Sequence, residues 1–360
     1  GHTESASDGL PEAWYTNNAL GPPLETGAHF TKTNYVYHNT QEAATLWYHD
    51  HALGITRLNV NAGLAGFYLL EDKHERQLVK DGILPKGKHD IEIVIQDRKF
   101  LADGELYWPA FPGDPAYADF ITGEGVDLSQ WPDVFPGEGP TALAEFFGDF
   151  IVVNGMVWPF LDVEPRPYRF RLLNGSDSRF YILKYENDMS FLQVASDDGL
   201  LPFAVELDEL VIAPGERAEV VIDFRKVTGP NLSVKLLNFG PDAPFGGLPV
   251  DPLDLANPLT TGQIMQFNVN KKLKAPKGVP LATVKAGTAL GNVVPLPEST
   301  VTRQLGLFEG SDIYGRLNPL LGTLNDNTGD IEPLIWDDEI TENPALNAVE
   351  TWEVYNFTGD

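Results

Sequence analysis

The chain has 360 residues, no cysteine, and 25 Lys plus Arg against 52 Asp plus Glu, a formal charge of −27. That balance repels nucleic-acid phosphates and suits neutral or cationic small molecules better than anionic ones. No disulfide can form, and no run of about 18 or more apolar residues is present, so no membrane span is expected. The chain is long enough for two or three domains, and its 34 Gly and 28 Pro favour short strands joined by turns over long helices.

In chain order, alternating or β-branched runs predict strands over Asn34–His38, Thr45–Tyr48 and Ala65–Glu71. Residues 74–90 are charged and contain Gly, and read as a linker. An alternating strand at Ile91–Ile95 opens a longer unit. It continues through Tyr168–Leu173, Phe191–Ala195, Glu209–Ala213, Glu219–Asp223 and Leu232–Leu237 to Gln263–Val269. Short strands at this spacing are the pattern of a β-sandwich or barrel. Residues 271–299, rich in Lys, Pro and Gly, fit an extended connector. Strand patterns resume at Thr302–Leu307 and Val349–Asn356. The reading is therefore all-β, with units at 1–73, 91–270 and 300–360.

The chemistry concentrates in Thr45–Asp72. His49 and His51 stand one residue apart in an aromatic, strand-like run, and a strand's two-residue period would place both imidazoles on one face. Imidazole suits copper, zinc, iron and nickel. The same pattern also fits a solvated pair or a satisfied core pair. Lys73-His74-Glu75-Arg76 reads as exposed linker. Asp197-Asp198-Gly199 and Asp251–Asp254 lack the ligand alternation of a calcium loop. The seven tryptophans read as core or interface packing.

Trp47-Tyr48-His49-Asp50-His51, Arg57-Leu58-Asn59 and Gly63–Asp72 closely resemble the end of the first domain of three-domain multicopper oxidases. The bacterial spore-coat laccase and bilirubin-oxidase type is the nearest. Further segments extend the resemblance: Ser7–Trp14, Asn154–Pro159 with Val163–Arg171, and Ala213–Arg217 with Val220–Phe224. It implies cupredoxin-like Greek-key sandwich domains, the middle one intact and the outer two partial, in a chain truncated at both ends. It also implies copper as cofactor, with His49 and His51 as type 3 ligands, and phenolic small molecules as donors oxidised while O2 is reduced to water. Asp8 matches an acid that assists proton delivery near the copper cluster, although Ser7-Asp8-Gly9 is equally a turn. The long loops Trp108–Pro140 and Gly240–Thr261 match loops that border the substrate approach. A spore-coat or extracytoplasmic location is likewise implied only by resemblance.

One count limits these implications. A type 1 copper needs a thiolate, and this sequence has none; its seven histidines all lie at or before His89. A laccase-like oxidase lacking the type 1 site and most trinuclear ligands is expected, with turnover by this sequence alone absent or much reduced. The alternative is a non-catalytic cupredoxin-type scaffold that binds copper or zinc weakly, or not at all. The two partial domains would each expose an apolar face, and pairing them within a chain or in a homo-oligomer would cover both.

Overall fold

The computed structural model describes residues 9–16, 21, 25–108, 145–228, 230, 232–273, 279–291, 293–311, 317–325, 328–336 and 338–358. It divides into two units, one drawn from residues 1–107, 146–245 and 249–292, the other from 108–145, 246–248 and 293–360.

The first unit opens with an antiparallel pair, β1 (Ala44–His49) and β2 (Ala65–Leu70), joined through a short helix α1 (Thr56–Asn61). A second helix, α2 (Lys73–Lys80), follows. The strands after it are β3 (Asp90–Phe100), β4 (Leu106–Tyr107), β5 (Phe150–Val153), β6 (Met156–Val157) and β7 (Phe160–Val163). Next come β8 (Pro167–Asn174), β9 (Tyr181–Tyr185), β10 (Phe191–Ser196), β11 (Gly199–Leu207) and β12 (Leu210–Ile212). The last are β13 (Arg217–Asp223), β14 (Ser233–Asn238) and β15 (Gln263–Val269). One sheet runs β11-β10-β13-β8-β3-β5-β6, with β4 beside β3; the other runs β12-β9-β14-β15-β7. Their inner faces share one core, including Ile95, Phe170, Leu183, Val220, Phe224, Ile264 and Phe267.

Strand β8 shows how the sandwich acquires further layers. Tyr168, Phe170 and Leu172 point into the core, while Arg169 and Arg171 alternate onto the opposite face. Every residue of β8 is nonetheless buried, because β1 and α2 cover that opposite face. Glu219 on β13 accepts from Arg169 Nε (2.7 Å), Arg171 Nη1 (3.1 Å) and Thr45 Oγ1 of β1 (2.6 Å). Glu75 Oε1 of α2 meets Arg169 Nη1 (2.7 Å) and Arg171 Nη2 (2.9 Å), and Asp90 takes Arg171 Nε (2.9 Å). Burial alone would raise the Glu219 carboxyl; Arg169 and Arg171, with the Thr45 hydroxyl, outweigh it and hold the group below the usual carboxylate range.

Residues 73–80, expected as exposed linker, are thus a docked helix. Asp72 caps it, accepting from Glu75 N at 2.7 Å, and Asp72 Oδ2 also accepts from Ala43 N. Leu78 packs with Leu84, Val194, Val221 and Leu290. The connector is also partly docked: Thr283 N and Val284 N donate to Gly82 O and Ile83 O, and Leu290 N to Pro202 O. The expected strand at 34–38 forms only an isolated bridge at Tyr37. Its apolar residues Tyr35, Val36 and Tyr37 are exposed.

The second unit is a sheet ordered β18-β17-β16-β19, from β16 (Val301–Ser311), β17 (Leu317–Leu324), β18 (Ile331–Leu334) and β19 (Glu350–Asn356). β16 and β19 are parallel, with Arg303 paired to Glu350 (2.7 Å) and Phe308 stacked on Phe357 (4.9 Å). Trp336 and Trp352 are exposed and so do not lie in a core. No helix among the described residues is long and apolar enough to cross a membrane.

Removing one partner of a buried ion cluster leaves the others uncompensated, so Glu219→Ala is expected to cost about 3–5 kcal/mol of stability at pH 7. The lowered folded-state pKa sets the sign of the pH dependence. The contribution is complete above the unfolded carboxylate value of about 4.3 and is lost as pH falls through the folded value. Urea unfolding of wild type and variant from neutral to acid pH should show their stability gap narrowing toward low pH.

Candidate metal site at the end of β1

β1 carries Thr45, Trp47 and His49 on one face. Thr45 is fully buried against Glu219, and the Trp47 ring lies 4.5 Å from the His49 ring. The strand ends at His49, so His51 falls in the following loop and not on a continued strand face. The loop still returns its imidazole to within 5.7 Å of the His49 ring, the planes tilted by 32°. Asp50 between them shapes that return: its Oδ2 accepts from Ala52 N (3.3 Å) and Asn59 Nδ2 of α1 (3.1 Å). On the partner strand, Gly66 leaves room for the Tyr48 ring; a Cβ there would meet the Tyr48 hydroxyl at 2.7 Å.

His49 Nδ1 lies 2.7 Å from the Asp50 carbonyl oxygen. A carbonyl can only accept, so Nδ1 must carry the proton, which leaves the Nε2 lone pair for another partner. A metal-ligating histidine commonly has this arrangement, one ring nitrogen donating to a carbonyl while the other binds. His49 is half-buried and His51 exposed, so both are accessible.

The other described histidines have different surroundings. His29 pairs with Glu12 (2.7 Å), His38 is exposed, His74 contacts the Leu290 carbonyl, and His89 is buried against Glu164 (3.2 Å) and the Tyr168 ring. Burial, followed by the Arg166 charge, holds His89 below the usual imidazole value. Asp8 and His2 lie outside the described residues, as does the 109–144 part of the long second-unit loop. The 240–261 loop is tied down by Arg179, which donates to Pro241 O (3.1 Å), and by Asp242, which accepts from Thr261 Oγ1 (2.7 Å). Asp197, weighed as a calcium ligand, instead pairs with Arg217 (3.1 Å). A cleft of about 610 Å³ between β10, β13 and residues 281–286 includes neither His49 nor His51.

No group of three or more His, Cys, Asp or Glu converges on one point among the described residues. The described residues thus bring two imidazoles together here, and a chain without cysteine offers no thiolate for a thiolate-dependent centre.

Comparison with known proteins shows what the chain is similar to. Residues 8–75 match the family model described as multicopper oxidase. Over 99% of its length the chain is 40% identical to a laccase of Bacillus stratosphericus and 36% identical to the laccase of Bacillus subtilis strain 168. The chain is similar to multicopper oxidases over nearly its whole length. It spans 61% and 60% of those two relatives' lengths. The McoA multicopper oxidase of Aquifex aeolicus superposes with a TM-score of 0.55 at 28% identity, over 76% of this chain and 50% of that one. A laccase from Pediococcus acidilactici shares the fold at a TM-score of 0.57 and 24% identity, over 88% of this chain and 53% of that one. The all-β, cupredoxin-like class expected from sequence is the observed one, and copper is the metal of the family.

The tautomer is directly measurable. Long-range ¹H–¹⁵N spectra of the metal-free protein should show neutral His49 protonated at Nδ1; a proton on Nε2 would contradict the hydrogen bond to Asp50.

Proposed function

We propose that this chain is laccase-like, its His49 and His51 supplying a type 3 imidazole pair to the copper cluster of an oxidase. In that reaction successive one-electron oxidations of phenolic donors are coupled to reduction of O2 to water. The observation that carries the reading is the His pair itself: two adjacent rings, one with Nδ1 committed to a carbonyl and Nε2 left available. When bound, copper would supply electron transfer to O2. The chain's own residues hold and orient the two rings, and Asp8 serves as a proton relay. The domain reading accompanies this proposal: 91–270 as a cupredoxin domain, with 1–73 and 300–360 as parts of two others. The net charge of −27 suits neutral or cationic phenolic donors.

The absence of cysteine supports a second reading for a polypeptide of this sequence alone, a scaffold with partial or no copper occupancy and no laccase turnover. Copper titration of the purified chain, with its visible spectrum, separates the two. The leading reading predicts copper binding that weakens at least about tenfold in His49→Ala/His51→Ala, with no intense blue thiolate-to-copper band. Copper binding unchanged in the double variant overturns the assignment of the pair. Wild-type protein that takes up no copper favours the scaffold.

A further inference from the structure

We infer that Arg217 and Gly215 are positioning residues for His49, acting on its ring through Trp47. Gly215 lies in the turn that leads into β13 and Arg217 is that strand's first residue, both more than 160 residues along the chain from the histidine pair. Nothing in the sequence spacing connects the two places; the packing of β1 does.

Arg217 is the clamp. Its Nε donates to Thr45 O (3.1 Å), Nη1 to Gly215 O (3.0 Å) and Nη2 to Asp197 O (3.2 Å). Asp197 lies 3.1 Å from Nη1 and also accepts from Arg217 N (2.8 Å), balancing the charge and fixing the base of the side chain. One planar guanidinium therefore joins three backbone segments: β1, the 213–216 turn and the hairpin between β10 and β11. A lysine could not reproduce this, because an ammonium on a flexible stem lacks the fixed fork of donors.

Gly215 faces the indole from the turn before β13. It adopts a left-handed φ of +76°, and a Cβ placed there would lie 3.4 Å from Trp47 Cζ2. Gly215 N donates to Asn174 O (2.8 Å), so the turn is anchored to the end of β8. The Trp47 ring, faced on this side by the turn, lies 4.5 Å from the His49 ring with the planes tilted by 39°. The imidazole in turn is held by its Nδ1 bond to Asp50. Thr45, two residues before Trp47 on the same face, is fixed by Glu219, so β1 cannot slide without breaking a buried contact. The orientation of the histidine is thus set from the neighbouring sandwich.

The consequence for copper rests on the proposed role of His49; the consequence for ring position does not. Partners that orient a ligating ring are commonly worth about 10–100-fold in metal affinity. The experiment uses the full chain with ¹³C-labelled histidine rings, in Gly215→Ala, Arg217→Met and the milder Arg217→Lys. In metal-free protein, the His49 ring-proton shifts, displaced by the Trp47 ring current, should move in all three variants. Those of His89, buried elsewhere in the same unit, should stay. Unmoved His49 shifts in Arg217→Lys and Gly215→Ala overturn the inference, as do His49 and His89 shifts that move together. Cu(II) titration of the same samples should show about a tenfold loss of affinity. Moved His49 shifts with unchanged Cu(II) affinity keep the positioning role and remove the copper role of His49.

Discussion

Two buried guanidiniums, Arg169 and Arg171, hold the first unit together by facing three carboxylates from three elements, Glu75, Asp90 and Glu219. Taking such charges out of water costs several kcal/mol per ion, and only close pairing with fully used donors offsets it. The geometry meets that requirement at nearly every atom; Glu75 Oε2 is the exception, buried without a hydrogen-bond partner. The cluster does not add a large net stability over an apolar core. It dictates instead which elements can cover β8: only β1, bringing a hydroxyl at Thr45, and α2, bringing Glu75, satisfy the arginines.

From that constraint the histidine site follows. Thr45 fixes the register of β1 against β13, and the same strand face then places Trp47 over the Gly215 turn and His49 beyond it. Asp50 closes the loop through Asn59 of α1, and α1 is joined to the sandwich by Arg57 with Asp177 (3.1 Å) and by Arg98 with Val60 O (3.1 Å). His49 is therefore held at the end of a chain of buried and part-buried polar contacts. An outer sphere of this kind fixes ring orientation before any metal arrives, so binding need not order the rings.

Much of this was legible in the sequence, and the exceptions have physical reasons. Alternation located β1, β2, β3, β8, β10, β13, β14 and β15, because sandwich strands carry a period of two wherever one face meets a core. It failed at 34–38, where aromatic and β-branched residues have strand propensity but the described backbone forms only a bridge at Tyr37. It also failed at α2. The Asp72-x-x-Glu75 pattern is a helix-start signature, yet the charged run that follows reads as solvated, and Glu75 is buried only because two arginines about 95 residues later demand it. The two histidines were visible as a motif. Their separation into a strand end and a loop was not, nor was Arg217, whose importance lies in three carbonyls that meet only in the folded chain.

The central claim is that His49 and His51 together form a copper-accepting pair with His49 binding through Nε2. Anomalous scattering from copper-soaked crystals of the chain tests it most directly. The account predicts a copper peak about 2 Å from His49 Nε2, on the side of the ring away from Asp50 O. Copper at other groups with none at this pair, or copper on His49 Nδ1 with the Asp50 bond broken, would contradict it.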